Sequence, residues 1–247
     1  MDKIIKFLIT RPIDEALEMS ELLKKRNISY EVCPLLKIKK IKNKINFEPD
    51  IIIFTSKNAV RNYVHSKNNK SYLNVYTIGD ETKELAKEKG YKRIISVNGD
   101  EKSLINNLKK IVFKNMKILH PTSQIKNEYL KNFFNMHYCI YTPVCCYKSD
   151  KINSAPQRFK KFIKLKKHAF ILIFSSRTAE SFCDEILKYN LSNFCENKNV
   201  IVLSSNIKKK LDLINFNEIL VTSRPNLDSM IKSIELIVKE EKQIERI

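Results

Sequence analysis

IFTSKNAVRNY, residues 53–63, reads as the end of a buried strand, a short polar turn and the start of a helix, and the same series returns as IFSSRTAESF at residues 173–182. The offset is 120 residues. A second block repeats as well: TIGDETKELAKEKGYKRIISV (77–97) and VLSSNIKKKLDLINFNEILVT (202–222) share strand, small polar turn, helix and a Gly/Asn-Tyr/Phe-x-x-Ile ending, with Tyr91 and Phe216 in equivalent places. A long block repeated once is not a solenoid period. It predicts a duplicated half, and hence two similar α/β lobes.

Outward from these blocks, apolar runs of strand length alternate with segments of helical periodicity, the sign of a parallel sheet covered by helices. The strand candidates are 3–10, 50–55, 73–78, 93–97, 116–119, 169–174, 199–203 and 217–222. Most carry Ile, Val, Leu or Phe on both parities, as strands buried on both faces do. In 177–189 the residues Ala179, Phe182, Cys183, Ile186 and Leu187 form one stripe, and in 123–135 Ile125, Tyr129, Leu130, Phe133 and Phe134 form another; both are expected to be core. A last helix is expected over 226–241, with Leu227, Met230, Ile231 and Ile234 inward.

Two extended segments break the rhythm: 30–41 (YEVCPLLKIKKI) and 138–147 (YCIYTPVCCY), interrupted by Pro34 and Pro143. A proline of this kind suits an edge or lightly paired strand. The expected organisation is a discontinuous α/β lobe of 1–33 plus 148–247, an inserted α/β lobe of 38–138, and connecting strands at 34–41 and 139–147 that form a two-stranded β linker. The stretch 148–168 carries no clear pattern and reads as re-entry into the first lobe.

The chain of 247 residues has 46 Lys and Arg against 27 Asp and Glu, a net charge of +19 that attracts anions without saying which. Part of that basicity reflects a composition rich in Lys, Asn and Ile, with only three glycines. No apolar run approaches the length that crosses a bilayer, and MDKIIKFLIT reads as a first strand, not a leader, because it runs into Arg11-Pro12 without a cleavage signal. The six cysteines, at 33, 139, 145, 146, 183 and 195, show neither CxxC spacing nor register with the histidines at 65, 120, 137 and 168. This predicts a reducing, cytoplasmic setting with neither disulfides nor metal.

The strand-to-helix junctions are loaded with Ser, Thr, Asn or Pro: Thr10-Arg11-Pro12, Thr55-Ser56-Lys57-Asn58, Gly79-Asp80-Glu81-Thr82, Pro121-Thr122-Ser123, Ser175-Ser176-Arg177, Ser204-Ser205-Asn206 and Thr222-Ser223-Arg224-Pro225. Such junctions lie at the carboxyl edge of a parallel sheet, where ligands bind, and the free amides of a first helical turn hold anionic oxygens. Taken singly, each polar residue reads better as the cap of its own helix. As a set in a duplicated molecule, they predict two amide-rich rims serving one cleft. GxGxxG, GxxxxGK[ST] and GxSxG are all absent from the sequence, so dinucleotide, P-loop and nucleophile-elbow chemistry have no support.

The ordered series ITRP, PLLKI, IIIFTSKNAV, YTIGDETKELAKEKG, IFSSRTAESF and VLSSNIKKKL, spanning nearly the whole chain, resembles uroporphyrinogen-III synthase. The resemblance implies a HemD-like arrangement of two flavodoxin-like lobes, and a monomeric, cofactor-free enzyme of tetrapyrrole (haem) biosynthesis. Its substrate would be hydroxymethylbilane, closed to uroporphyrinogen III with inversion of ring D and loss of water, with neither nucleic acid nor membrane as partner. Loss of the hydroxymethyl oxygen gives an azafulvene; the substituted carbon of the last ring attacks it, and the resulting spiro intermediate fragments and recloses. The family's acid is a tyrosine of the second connecting strand, for which Tyr147 is the closest match and Tyr141 the rival. The substrate-contacting turns fall on Thr55, Ser56, Gly79, Thr82 and Ser175, and the same rims add Arg11, Lys57, Asn58, Thr122, Ser176, Arg177, Ser204 and Ser205. Where many relatives read G-x-T-T-A, this chain has Ser204-Ser205-Asn206-Ile207-Lys208, so Ser204 or Ser205 would replace a threonine hydroxyl. LHPTSQ (119–124) also lacks a glycine that many relatives carry. The competing class is a basic nucleic-acid-binding α/β protein, favoured by the charge but lacking aromatic residues interleaved with Lys or Arg.

Overall fold

The computed structural model describes residues 5–42, 45–65, 70–123, 128–165 and 169–244. Ile125, His168 and the first residues of the 3–10 strand candidate lie outside them. The elements run β1 (Lys6–Ile9), α1 (Ile13–Lys24), β2 (Ser29–Val32), β3 (Leu36–Lys40), β4 (Ile51–Phe54), α2 (Lys57–Asn62), β5 (Asn74–Ile78), α3 (Asp80–Glu88), β6 (Arg93–Val97), α4 (Glu101–Leu108) and β7 (Lys117–Ser123). There follow α5 (Glu128–Met136), β8 (Ile140–Lys151), α6 (Gln157–Ile163), β9 (Ala169–Ile173), α7 (Ser176–Lys188), α8 (Ser192–Cys195), β10 (Asn199–Val202), α9 (Ser205–Lys209), β11 (Glu218–Val221) and α10 (Leu227–Ile244).

Two compact units result, one of Met1–Lys37 with Asp150–Ile247 and one of Ile38–Ser149. The divisions fall inside β3 and β8. The first unit holds a five-stranded sheet in the order β11-β10-β9-β1-β2, its four pairings all parallel. Read from β2, that is the flavodoxin-like order 2-1-3-4-5. The second unit holds a six-stranded sheet, β3-β8-β7-β4-β5-β6. Once the repeat aligns β4, β5 and β6 with β9, β10 and β11, the spatial order β8-β7-β4-β5-β6 matches β2-β1-β9-β10-β11 strand for strand. The two units therefore share one architecture with a circularly permuted chain order: the β-α-β pair opens the first and closes the second.

Both-parity apolar strands explain the four cores. In the first unit Leu8, Ile171, Ile173, Val200 and Val202 face α6 and α7, while Phe7, Ile9, Phe170, Leu172 and Ile201 face α1 and α10. In the second, Ile51, Ile53, Tyr76 and Ile118 face α4 and α5, while Ile52, Phe54, Val75 and Leu119 face α2 and α3. Each such side chain contributes about 1.5–3 kcal/mol by leaving water.

Several expectations change. Residues 30–41 are two strands: β2 is the edge of the first sheet, parallel to β1, and β3 belongs to the second, with Pro34 in the break. β8 runs to Lys151 and is an interior strand beside β3 and β7, so Pro143 sits in a well-paired strand opposite His120. The stretch 148–168 contains α6, whose Phe159, Phe162 and Ile163 are buried. Pro121-Thr122-Ser123 is the end of β7, not a turn after it. Within the expected core stripes, Tyr129 and Leu187 are each 48% exposed.

Candidate active site

The switch point of each sheet, where successive connections leave to opposite sides, is where an open α/β sheet binds ligands at its carboxyl edge. In the second unit that point lies between β4 and β7. Their register pairs Ile51 with Ile118 and Ile52 with Leu119. Further along, the side chains take over: Thr55 Oγ1 lies 3.3 Å from His120 Nε2, and His120 Nδ1 lies 2.6 Å from the Tyr141 hydroxyl. His120 is fully buried, and that burial pushes its pKa down to about 4, leaving a neutral imidazole at neutral pH. Burial raises the Tyr141 phenol, with the charge of Glu101 adding to the effect.

Ser56 follows Thr55 and caps α2, its Oγ accepting the Ala59 amide at 3.1 Å. The same Oγ lies 3.1 Å from the Tyr147 hydroxyl. A bulge makes this meeting possible. β7 pairs Thr122 with Cys145 and then Ser123 with Tyr147, skipping Cys146. Strict alternation would put Tyr147 on the face of Tyr141, which packs on the α4/α5 side. The extra residue turns Tyr147 to the α2/α3 side, where it packs with Val144 and Cys146. The two candidate tyrosines thus occupy opposite faces of one sheet.

The other residues expected at this rim are placed as follows. Lys57 forms a 2.7 Å ion pair with Glu81. The Asn58 side chain accepts from Arg61 at 3.4 Å. Gly79 caps α3 at φ +81, a backbone region essentially reserved for glycine. Thr82 is buried at 5% exposure inside α3, so its side chain is not on the open rim. Thr122 is half-buried in β7, and its carbonyl accepts from the Cys146 thiol at 3.5 Å. A hollow of about 470 Å³ beside Thr55 is lined by Ile78, Asp100, Glu101, Lys102 and Tyr129. Its wall carries both signs of charge, and the Asp100 carboxylate is taken up by the Lys102 and Ser103 amides at 3.0 and 3.1 Å. A larger hollow of about 890 Å³ opens at the amino ends of β4, β5 and β6, the edge opposite the switch-point rim.

In the first unit the switch point lies between β1 and β9. Thr10 is buried and donates to the Leu172 carbonyl at 2.6 Å. Arg11 is no free cation: its guanidinium is 2.6 Å from the Glu15 carboxylate and stacks 4.3 Å above the Phe174 ring centroid. Ser175 caps α7, accepting from the Thr178 amide at 3.1 Å and lying 2.8 Å from the Thr178 hydroxyl. Ser176 opens α7, Arg177 is exposed, Ser204 caps α9 through the Ile207 amide at 3.4 Å, and Ser205 is exposed. The repeat aligns Ser56 with Ser176, yet the cap is Ser175, the counterpart of Thr55; α7 starts one residue early. The rims are also unequal. α7 has 13 residues and α3 has nine, whereas α2 and α9 have six and five, too short for much of a macrodipole.

Sequence reasoning grouped His120 with scattered histidines and missed it as part of the rim. Among the described residues, no three His, Cys, Asp or Glu side chains converge as a metal site requires, and all six cysteines are free thiols. No helix is long and apolar enough to cross a membrane among the residues described.

Three comparisons bear on this geometry. The family model described as uroporphyrinogen-III synthase HemD matches residues 18–232. Among solved structures, the uroporphyrinogen-III synthetase of Helicobacter pylori aligns with 96% of this chain and 100% of its own, at a TM-score of 0.62 and 14% identity. A mutant uroporphyrinogen III synthase from the extremely thermophilic bacterium Thermus thermophilus aligns with 96% and 99% of the two chains, at a TM-score of 0.50 and 11% identity. No curated protein sequence matches.

Proposed function

The chain belongs to the uroporphyrinogen-III synthase family, and from that premise we propose which of its residues carry the reaction. The enzyme is a cyclising hydro-lyase of tetrapyrrole biosynthesis that closes hydroxymethylbilane to uroporphyrinogen III with loss of water and inversion of ring D.

Tyr147 is the acid that assists departure of the hydroxymethyl oxygen. The observation that carries this assignment is the 3.1 Å contact between its hydroxyl and Ser56 Oγ at the switch-point rim. Tyr141, by contrast, is held by a buried imidazole on the other face of the sheet. Ser56 also accepts the Ala59 amide, which fixes its oxygen and so orients the phenol. Thr55, Gly79, Asn58 and Thr122 in this unit, and Ser175, Ser176, Arg177, Ser204 and Ser205 in the other, are the proposed contacts for substrate carboxylates. Arg11 and Lys57, already paired with Glu15 and Glu81, stiffen their turns. Ser204 or Ser205 replaces the threonine hydroxyl of many relatives.

Hydroxymethylbilane is reactive enough to close unaided to the uninverted isomer, so the enzyme's task is to favour one ring orientation. Each tenfold gain in isomer ratio requires about 1.4 kcal/mol of differential transition-state binding, which several positioned hydroxyls and amides supply together. We further propose a cofactor-free monomer acting in the cytoplasm, without nucleic acid or membrane as partner. The free thiols support a reducing compartment. β3 and β8, each passing from one unit into the other, are proposed as the connecting strands. The test is Tyr147→Phe supplied with fresh hydroxymethylbilane: turnover to the type III isomer should fall at least tenfold while the circular dichroism spectrum is kept. An unchanged rate would remove Tyr147 from the chemistry.

A further inference from the structure

We infer that His120 is a positioning residue: held between Tyr141 and Thr55, its imidazole aims the Thr55 hydroxyl proton away from the core, toward a carboxylate oxygen of the substrate. The inference rests on Thr55 being a substrate contact, and adds what orients it.

An imidazole nitrogen accepts a hydrogen bond far better than a phenol oxygen does. Across the 2.6 Å contact, Tyr141 is therefore the donor and His120 Nδ1 the acceptor. A neutral imidazole with a bare Nδ1 carries its proton on Nε2. Nε2–H then donates to Thr55 Oγ1 at 3.3 Å. With an oxygen lone pair used in accepting, the single Thr55 hydroxyl hydrogen remains for another acceptor, and among the described residues none takes it. The reverse chain would have Nδ1–H donating to the phenol oxygen and the Thr55 hydroxyl donating to Nε2, which sets the poorer acceptor across the shortest contact and relies on the poorer O–H donor at the other. Burial keeps the ring neutral, so the order of donors persists at neutral pH.

The other unit shows what this position does without the relay. Ile9 pairs with Leu172 on β9, as Leu119 pairs with Ile52 on β4, and the repeat aligns Leu172 with Ile52. Thr10 is thereby the counterpart of His120. Its hydroxyl donates to the Leu172 carbonyl, tying the position to main chain. In the second unit the longer imidazole reaches past the strand to a rim hydroxyl instead.

The direct test is a two-bond proton–nitrogen correlation spectrum of the full chain labelled with 15N-histidine, at pH 7. His120 should show the Nε2–H tautomer, unchanged in Tyr147→Phe and no longer dominant in Tyr141→Phe. A dominant Nδ1–H tautomer, or a doubly protonated ring, in the unaltered protein would overturn the relay. This readout needs no turnover, so it can fail while the cyclase reading stands, and survive if that reading fails. Kinetically, His120→Leu should raise KM about tenfold with kcat little changed, the loss expected for a hydrogen bond to a charged group. His120→Gln, which keeps an N–H near the same place, should recover most of it. Thr55→Val should cost as much as His120→Leu, and the double variant no more than either. An unchanged KM in His120→Leu, or losses that simply add, would contradict the assignment.

Discussion

Tyr141 and Tyr147 lie on one strand, yet their surroundings give them different work. Tyr141 is committed to His120, while Tyr147 meets the cap oxygen of Ser56. General acid catalysis contributes typically 10²–10⁴-fold. Tyr141→Phe should therefore spare kcat and raise KM, the opposite split to Tyr147→Phe, as steady-state kinetics would show. His120 also links the rim to stability. Its folded pKa of about 4 lies below the ordinary 6.5. Above pH 6.5 both states are neutral and it adds no pH dependence. As pH falls from 6.5 toward 4, the unfolded chain takes up a proton that the folded chain refuses, so stability is lost. At pH 5 the loss from this group is about 2 kcal/mol. Urea unfolding at pH 7 and pH 5 should show a smaller drop for His120→Gln than for the unaltered chain; equal drops would show that His120 is not the group responsible. Ser175→Ala removes a cap and should cost about 1 kcal/mol in the same assay.

At the scale of elements, strands such as AFILI (169–173) and IIIF (51–54) were legible because they are apolar on both parities. The repeated strand-turn-helix block marked the duplication for the same reason. What was not legible depends on partners distant in sequence. Nothing in Cys145-Cys146 signals a bulge, since no glycine marks it, so the face that Tyr147 takes is settled only by the pairing of β7 with β8. His120 has partners 65 residues upstream and 21 downstream, and becomes meaningful only once β4, β7 and β8 are known to be neighbours. α6 was missed although Phe159, Phe162 and Ile163 have helical spacing, because six basic residues crowd the short stretch from Arg158 to Lys167. Ion pairing of Arg11 with Glu15 at i,i+4 was readable and went unread. The turn at Gly79 carries its own prediction. An added Cβ would touch nothing within 4 Å, so the only objection to one is the φ of +81. Gly79→Ala should then destabilise the chain by about 1–3 kcal/mol, measured by thermal or urea unfolding, and no loss would mean that the turn relaxes freely.

For the whole molecule, one architecture built twice in permuted chain order gives two carboxyl rims rich in hydroxyls and amides, in a chain whose net charge is +19. A polyacid is drawn to such a surface through long-range attraction that salt screens. Raising ionic strength should lower kcat/KM more than kcat; a kcat/KM indifferent to salt would assign the charge no part in encounter. The most direct measurement is the isomer composition of the product. Purified protein given freshly made hydroxymethylbilane, with the product oxidised and resolved by chromatography, should yield mainly the type III isomer. Type I alone, at the level of the enzyme-free control, would contradict the account.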